Sequence, residues 1–159
     1  MTIEIGDTIP SAVLSQMTNN GPQPILTGDY FAGRKVVLFS VPGAFTPTCS
    51  AYHLPGFVEL ADEITGKGVD AIACMAVNDV FVMHAWGKSA NANGIDMLAD
   101  GNGEFTRALG LQLDGTAFGM GQRSQRFALV ADDGRVTQLM VEAPGEFRVS
   151  SAESVLAAL

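Results

Sequence analysis

The chain has 159 residues, 47% of them hydrophobic and only 16% charged, a balance that suits one compact domain and excludes a disordered chain. Seventeen acidic residues against nine basic ones leave a formal charge of −8, the wrong sign for neutralising phosphates or anionic lipid. Nucleic acid and membrane surfaces are therefore poor partners.

The start, MTIEIGDTIP, has neither a basic n-region nor an apolar h-region, so no secretory signal is expected. The stretch as far as Tyr30 reads as short extended pieces with a turn at Asn19-Asn20-Gly21-Pro22. Lys35–Val41 is short, apolar on both faces and rich in β-branched and aromatic residues, which predicts a central buried strand. Pro42-Gly43 stops it. The run Val36–Phe45 is far shorter than the ~18 apolar residues a membrane span needs. From Cys49 to Thr65 the apolar residues recur at helical spacing, with Pro55 as an expected kink. Gly66 and Gly68 end that helix, and Val69–Val77 reads as a second buried strand.

Asp79 is an N-cap candidate for a helix running to about Ala90. Ile95–Leu98 predicts a short strand and Glu104–Leu109 a short helix. Arg126–Ala131 and Arg135–Val141 flank Asp132-Asp133-Gly134, an Asp-Gly turn between apolar runs and so a hairpin. Ala152–Leu159 is a last small helix. No repeat, linker or low-complexity tract interrupts residues 1–159, so a single domain is expected. The element order predicts an α/β fold, a central mixed sheet flanked by helices, and fits a thioredoxin-like fold with insertions.

Two cysteines, Cys49 and Cys74, with no C-x-x-C pair make no disulfide framework, so a reducing, cytoplasmic setting is the default expectation. Cys49 stands where a central strand feeds through a loop into a helix, at the carboxyl end of the sheet, where open α/β sheets bind ligands. Unpaired amides and the positive end of the helix dipole both favour a thiolate there. The plain alternative is a buried core cysteine. Cys74 lies inside the apolar strand and reads as inert core.

Three other constellations are weaker. Cys49, His53, Cys74 and His84 lack the paired spacing of structural zinc ligands, so no metal is expected. Cys49 and His53 stand one helical turn apart, but hydrolase triads bring their base from elsewhere in the chain. Gly119-x-Gly121 lacks the third glycine of a nucleotide loop, and no cofactor is expected.

Pro42, Thr46 and Cys49 match the Pro-x-x-x-Thr-x-x-Cys signature, and the chain resembles the peroxiredoxins, the cysteine-based peroxide reductases. PGAFTPTCS followed by His53-Leu54-Pro55-Gly56-Phe57 is similar to one branch in particular, which holds the atypical two-cysteine enzymes and the type II enzymes reduced by glutaredoxin or glutathione. Val77-Asn78-Asp79, Ala85-Trp86-Gly87, Leu98-Ala99-Asp100 and Arg126-Phe127 extend the likeness over nearly the whole chain.

The resemblance implies that Cys49 is the peroxidatic cysteine, that the Thr46 hydroxyl holds the peroxide, that Pro42 shields the sulfur, and that Arg126 stabilises thiolate and oxygens. The bland readings are a turn residue for Thr46, a strand stop for Pro42 and a water-facing charge for Arg126. It also implies a homodimer touching near the active-site loop, for which Phe45, Phe81 and Trp86 are reasonable anchors. Substrates would be hydrogen peroxide and small organic hydroperoxides, in antioxidant defence. The region Glu146–Ala152, where atypical members carry a resolving cysteine, has none, so a one-cysteine mechanism is expected. Its reductant would be an external thiol: glutathione, glutaredoxin or thioredoxin. The rival is a non-catalytic thioredoxin-like redox sensor or partner-binding module.

Acidifying a thiol cannot by itself make a fast peroxidase. Lowering a cysteine pKa from roughly 8.5 to ~6 gains about 30-fold in thiolate, but lower basicity returns about tenfold. The remainder must come from groups aimed at the breaking O–O bond. Thr46, Arg126 and the first-turn amides are the donors expected.

Overall fold

A computed structural model describes residues Met1–Leu159. In chain order the strands and helices are β1 (Val13–Thr18), β2 (Gly21–Leu26), α1 (Thr27–Phe31), β3 (Lys35–Val41), α2 (Leu54–Thr65), β4 (Ala71–Ala76), α3 (Val80–Ser89), β5 (Asp96–Ala99), α4 (Glu104–Leu109), β6 (Gln112–Asp114), β7 (Gln122–Ser124), β8 (Phe127–Asp132), β9 (Arg135–Val141) and α5 (Ala152–Ala158). Seven strands form one mixed sheet in the order β2-β1-β5-β4-β3-β8-β9, in which β3, β4 and β5 are mutually parallel and the other pairs antiparallel. This is a thioredoxin-like architecture. No helix is long and apolar enough to cross a membrane.

The two-sided apolar run of β3 is the reason it lies at the centre. Val37, Phe39 and Val41 enter a core beneath α2, α3 and α5, while Val36 and Leu38 enter a second core beneath α1 and α4. In β4, Ile72, Cys74 and Ala76 join the first core, and Ala73 and Met75 the second. Cys74 therefore lies on the same side of the sheet as Cys49. The Asp79 carboxylate caps α3 by accepting from the Val82 amide at 2.9 Å, as its position in the sequence suggests.

Local reading and structure part company in three places. Thr27–Phe31 is a short helix where extended chain was expected; Tyr30 and Phe31 close the second core, and the buried Tyr30 hydroxyl bonds Asp96 on β5 at 2.6 Å. Residues 112–124 form a separate two-stranded sheet, β6 with β7, around a 3-10 turn at Thr116–Phe118. Its three-residue strands are too short to show any period.

The third difference bears on the site. Cys49–Thr65 is not one kinked α-helix: the helix begins at Pro47, widens into a π-turn over Cys49–His53, and becomes α2 at Leu54. Pro55 lies in the first turn of α2 and has no N–H to give. In an α-helix its ring would also press on the carbonyl four residues back, and the wider turn relieves that clash. The Leu54 amide accordingly reaches back five residues to the Cys49 carbonyl.

Candidate active site

β3 delivers the chain to Pro42, which cannot continue a ladder because it lacks a donor. The loop then folds on itself, with Phe45 in the left-handed region at φ 64°. From the far side the Asn78 side chain pins it, its Oδ1 accepting from the Ala44 amide at 2.9 Å. Thr46 is the N-cap: its carbonyl accepts the first helical bond, from the Ser50 amide at 2.9 Å, and Pro47 fills the position where a missing N–H is harmless.

The Thr46 hydroxyl does not cap the helix. It donates to the Gly43 carbonyl at 2.7 Å. That bond leaves the Thr48 and Cys49 amides without a carbonyl partner, pointing from the positive end of the helix. It also corrects the expectation that Thr46 is a donor to peroxide: its single proton is committed to Gly43, so its oxygen is free only to accept.

Cys49 stands in the first turn with no exposed surface. Arg126, between β7 and β8, donates from Nη2 to Cys49 Sγ at 3.0 Å. Its water-facing alternative is therefore overturned. The second nitrogen, Nη1, stands 2.9 Å from His53 Nδ1. On the other side of that ring, Nε2 lies 2.9 Å from the Ser150 carbonyl oxygen. The ring is fully buried, lying 4.9 Å from Phe39 and 4.9 Å from Phe147. Burial first, and the Arg126 charge second, push the His53 pKa down to about 3.

Both His53 nitrogens are thus engaged away from Cys49, which removes the cysteine–histidine hydrolase reading. Pro42 is half-buried at the strand's end. Cys74 is fully buried in mid-sheet, opposite Phe39 and Met97. Burial pushes its thiol pKa up, and proximity to Cys49 adds to this.

Trp86 is buried rather than presented as an interface anchor: its indole N–H donates to the Ser50 hydroxyl at 3.0 Å, bracing the turn that holds Cys49. Phe45 and Phe81 are exposed. Sequence reading missed the part played by His53, whose only local signal is its place one turn after Cys49. Ser150 and Glu142, which complete its surroundings, carry no local signal at all.

The arrangement puts one thiol, one guanidinium nitrogen and two free amides together, with one accepting hydroxyl at the N-cap of the same helix. That is a set suited to attack on a small polar electrophile whose leaving atom gains negative charge.

A model of the Redoxin family matches residues 4–156. Peroxiredoxin-2B of Arabidopsis thaliana is 52% identical over 159 residues, covering 99% of this chain and 98% of that protein. The crystal structure of reduced Prx3 in complex with H2O2 from Vibrio vulnificus has a TM-score of 0.96 and 57% identity, covering 99% of each chain. That of the Plasmodium falciparum antioxidant protein (1-Cys peroxiredoxin) has a TM-score of 0.89 and 31% identity, covering 96% of each.

Proposed function

The chain belongs to the Redoxin family and is a peroxiredoxin, a thiol peroxidase, and on that basis we propose that Cys49 reduces hydrogen peroxide and small organic hydroperoxides by a one-cysteine mechanism. The observation that carries the assignment of Cys49 is the 3.0 Å bond from Arg126 to its sulfur, made at a helix start with free amides. The complex of the Vibrio vulnificus relative with H2O2 supports the substrate class.

In the first step the Cys49 thiolate attacks one peroxide oxygen. The S–O bond forms as the O–O bond breaks, and the departing oxygen takes a proton to leave as water or an alcohol. Thr46 accepts a hydrogen bond from the peroxide O–H, while Arg126 and the first-turn amides stabilise the departing charge. Pro42 excludes water from beside the sulfur.

The product is a sulfenic acid on Cys49. An external thiol displaces water to form a mixed disulfide, and a second thiol releases the Cys49 thiolate and an oxidised thiol pair. Glutathione, or glutaredoxin acting directly, is the reductant we assign. Cys74 is the only other thiol, and it is locked in the centre of the sheet with no exposed surface. Freeing it means opening β4, which can cost up to the whole stability, ~5–15 kcal/mol. The likeness to a 1-Cys peroxiredoxin points the same way.

A reducing compartment such as the cytoplasm suits a chain with two unpaired cysteines. A homodimer belongs to the same reading, supported by the exposed aromatic rings of Phe45, Tyr52 and Phe81.

Intact-mass analysis after one equivalent of peroxide tests the mechanism. A gain of one oxygen is expected, advancing to two with excess peroxide, because no internal thiol intercepts the sulfenic acid. A loss of two hydrogens with a Cys49–Cys74 peptide would overturn it.

A further inference from the structure

The site does not end at Arg126. Its guanidinium is a rigid planar fork, so fixing one nitrogen aims the other. Nη2 meets Cys49 Sγ at 3.0 Å and Nη1 meets His53 Nδ1 at 2.9 Å. An arginine can only donate, so Nδ1 must be the accepting nitrogen of the ring. The proton then sits on Nε2, which is where the structure offers an acceptor, the Ser150 carbonyl at 2.9 Å.

That carbonyl is itself held in place. Glu142 Oε2 accepts from the Ser150 amide at 2.8 Å, the Ser150 hydroxyl at 2.7 Å and the Arg148 amide at 2.8 Å. Immediately beyond, the Ser151 hydroxyl caps α5 by accepting from the Ser154 amide at 3.1 Å. α5 packs through Ala152 and Val155 into the core that holds Cys49. Ser150 and His53 are fully buried and Glu142 nearly so, and water does not compete for these bonds.

We propose that His53 and Glu142 are positioning residues for peroxide reduction: Glu142 fixes the Ser150 carbonyl, the carbonyl fixes the proton on His53 Nε2, and His53 Nδ1 aims Arg126 at Cys49. With the ring proton on Nδ1 instead, an N–H would face an N–H and the fork would turn from the sulfur. The charged groups that bear on His53 are Arg126 and Glu142; burial together with Arg126 outweighs Glu142 and keeps the ring neutral. The chain of bonds thus gives a catalytic task to the turn between β9 and α5, which touches no reacting atom.

The inference rests on Cys49 being the nucleophile, and the test separates the two. Reduced protein is mixed with hydrogen peroxide without any thiol, following peroxide loss in a single turnover and the ultraviolet absorbance of the thiolate at neutral pH. Asparagine carries its oxygen where Nδ1 stood and can still accept from Arg126. Glutamine reaches only the Nε2 position, and alanine neither.

His53→Asn should therefore keep most of the rate. His53→Gln and His53→Ala should lose about 10²-fold, the scale of a catalytic group misplaced by an ångström. Thiolate absorbance should fall in the same order. Equal losses in the asparagine and glutamine variants, with thiolate absorbance unmoved, would mean that His53 only packs and would overturn the claim. Should the His53 variants not fold, Glu142→Gln decides, since it keeps the shape and weakens the acceptor. A slower reaction and less thiolate support the proposal, and wild-type values of both overturn it. If Cys49→Ser still consumes peroxide, the assignment of the nucleophile fails instead.

Discussion

Arg126 and Cys49 lie 77 positions apart in the chain, yet Arg126 Nη2 stands 3.0 Å from Cys49 Sγ. The sheet brings them together: β3 and β8 run antiparallel with Ser40 opposite Phe127, so the end of one strand meets the start of the other. The loop after β3 carries Cys49 and the residue before β8 is Arg126. Two adjacent strands thus impose a contact that a flexible pair of side chains would make only at an entropic cost.

Cys49→Ser should abolish peroxide turnover, because a hydroxyl is not ionised at neutral pH. Cys74→Ser should leave turnover largely intact while costing about 1–3 kcal/mol in stability, since it places a hydroxyl in an apolar mid-sheet position. Steady-state peroxide consumption and urea denaturation of both variants check this. Comparable losses of activity in the two would assign the chemistry wrongly.

Thr46→Val keeps the shape but removes both the oxygen we propose as the acceptor for peroxide and the 2.7 Å bond to the Gly43 carbonyl. A rate loss of about 10²–10³-fold is expected, as for deletion of one transition-state hydrogen bond. Thr46→Ser restores both bonds and should recover most of the rate. A valine variant as fast as wild type would remove Thr46 from the site.

Arg126→Met deletes two bonds at once, to Cys49 and to His53. Expected are a loss of about 10²–10³-fold in peroxide rate and, from the unpartnered His53 nitrogen, about 1–3 kcal/mol of stability. Arg126→Lys should rescue little, because a single ammonium cannot serve both partners in the fork's geometry. Single-turnover kinetics of the two variants, with their denaturation midpoints, give both numbers. Full rescue by lysine would show that charge, and not the fork, is what Cys49 needs.

Acid should loosen the fold. Burial and Arg126 hold the His53 pKa to about 3, against roughly 6.5 in an unfolded chain. Above the unfolded value neither state takes the proton; between the two only the unfolded chain does. Stability therefore falls as pH drops from about 6.5 toward 3, by up to about 1.4 kcal/mol per pH unit. Glu142 acts in the same direction in acid: its burial is outweighed by the bonds from Ser150 and Arg148, which hold its pKa below the usual carboxylate value. Urea unfolding of wild type and His53→Asn at neutral pH and near pH ~5 checks the part played by the histidine, since only wild type carries the ring. Equal pH dependence in the two would refute it.

Much of this protein was legible residue by residue. The two-sided apolar run placed β3 at the centre, Asp79 marked the start of α3, Asp133-Gly134 marked the β8–β9 turn, and Glu104–Leu109 is helical as read. In each case the deciding physics is local: hydrophobic period, a side chain bonding an amide three residues on, a backbone conformation that glycine tolerates. The signature from Pro42 to Cys49 was equally plain, because its proline, threonine and cysteine fall within eight residues of one another in the chain.

What tertiary structure alone decided is how those groups face one another. Trp86 turned inward to brace Ser50, the Thr46 proton went to Gly43, and the helix opened into a π-turn ahead of Pro55. His53, one turn from Cys49 and an apparent base, became an acceptor for Arg126 because a carbonyl from position 150 claimed its other nitrogen. A hydrogen bond depends on where its partner stands, and these partners come from strands and turns that only the folded sheet brings within 3 Å of one another. The sequence determined which groups the site would contain; the packing of β3, β8 and the turn before α5 decided which of them donates, which accepts and which stays neutral.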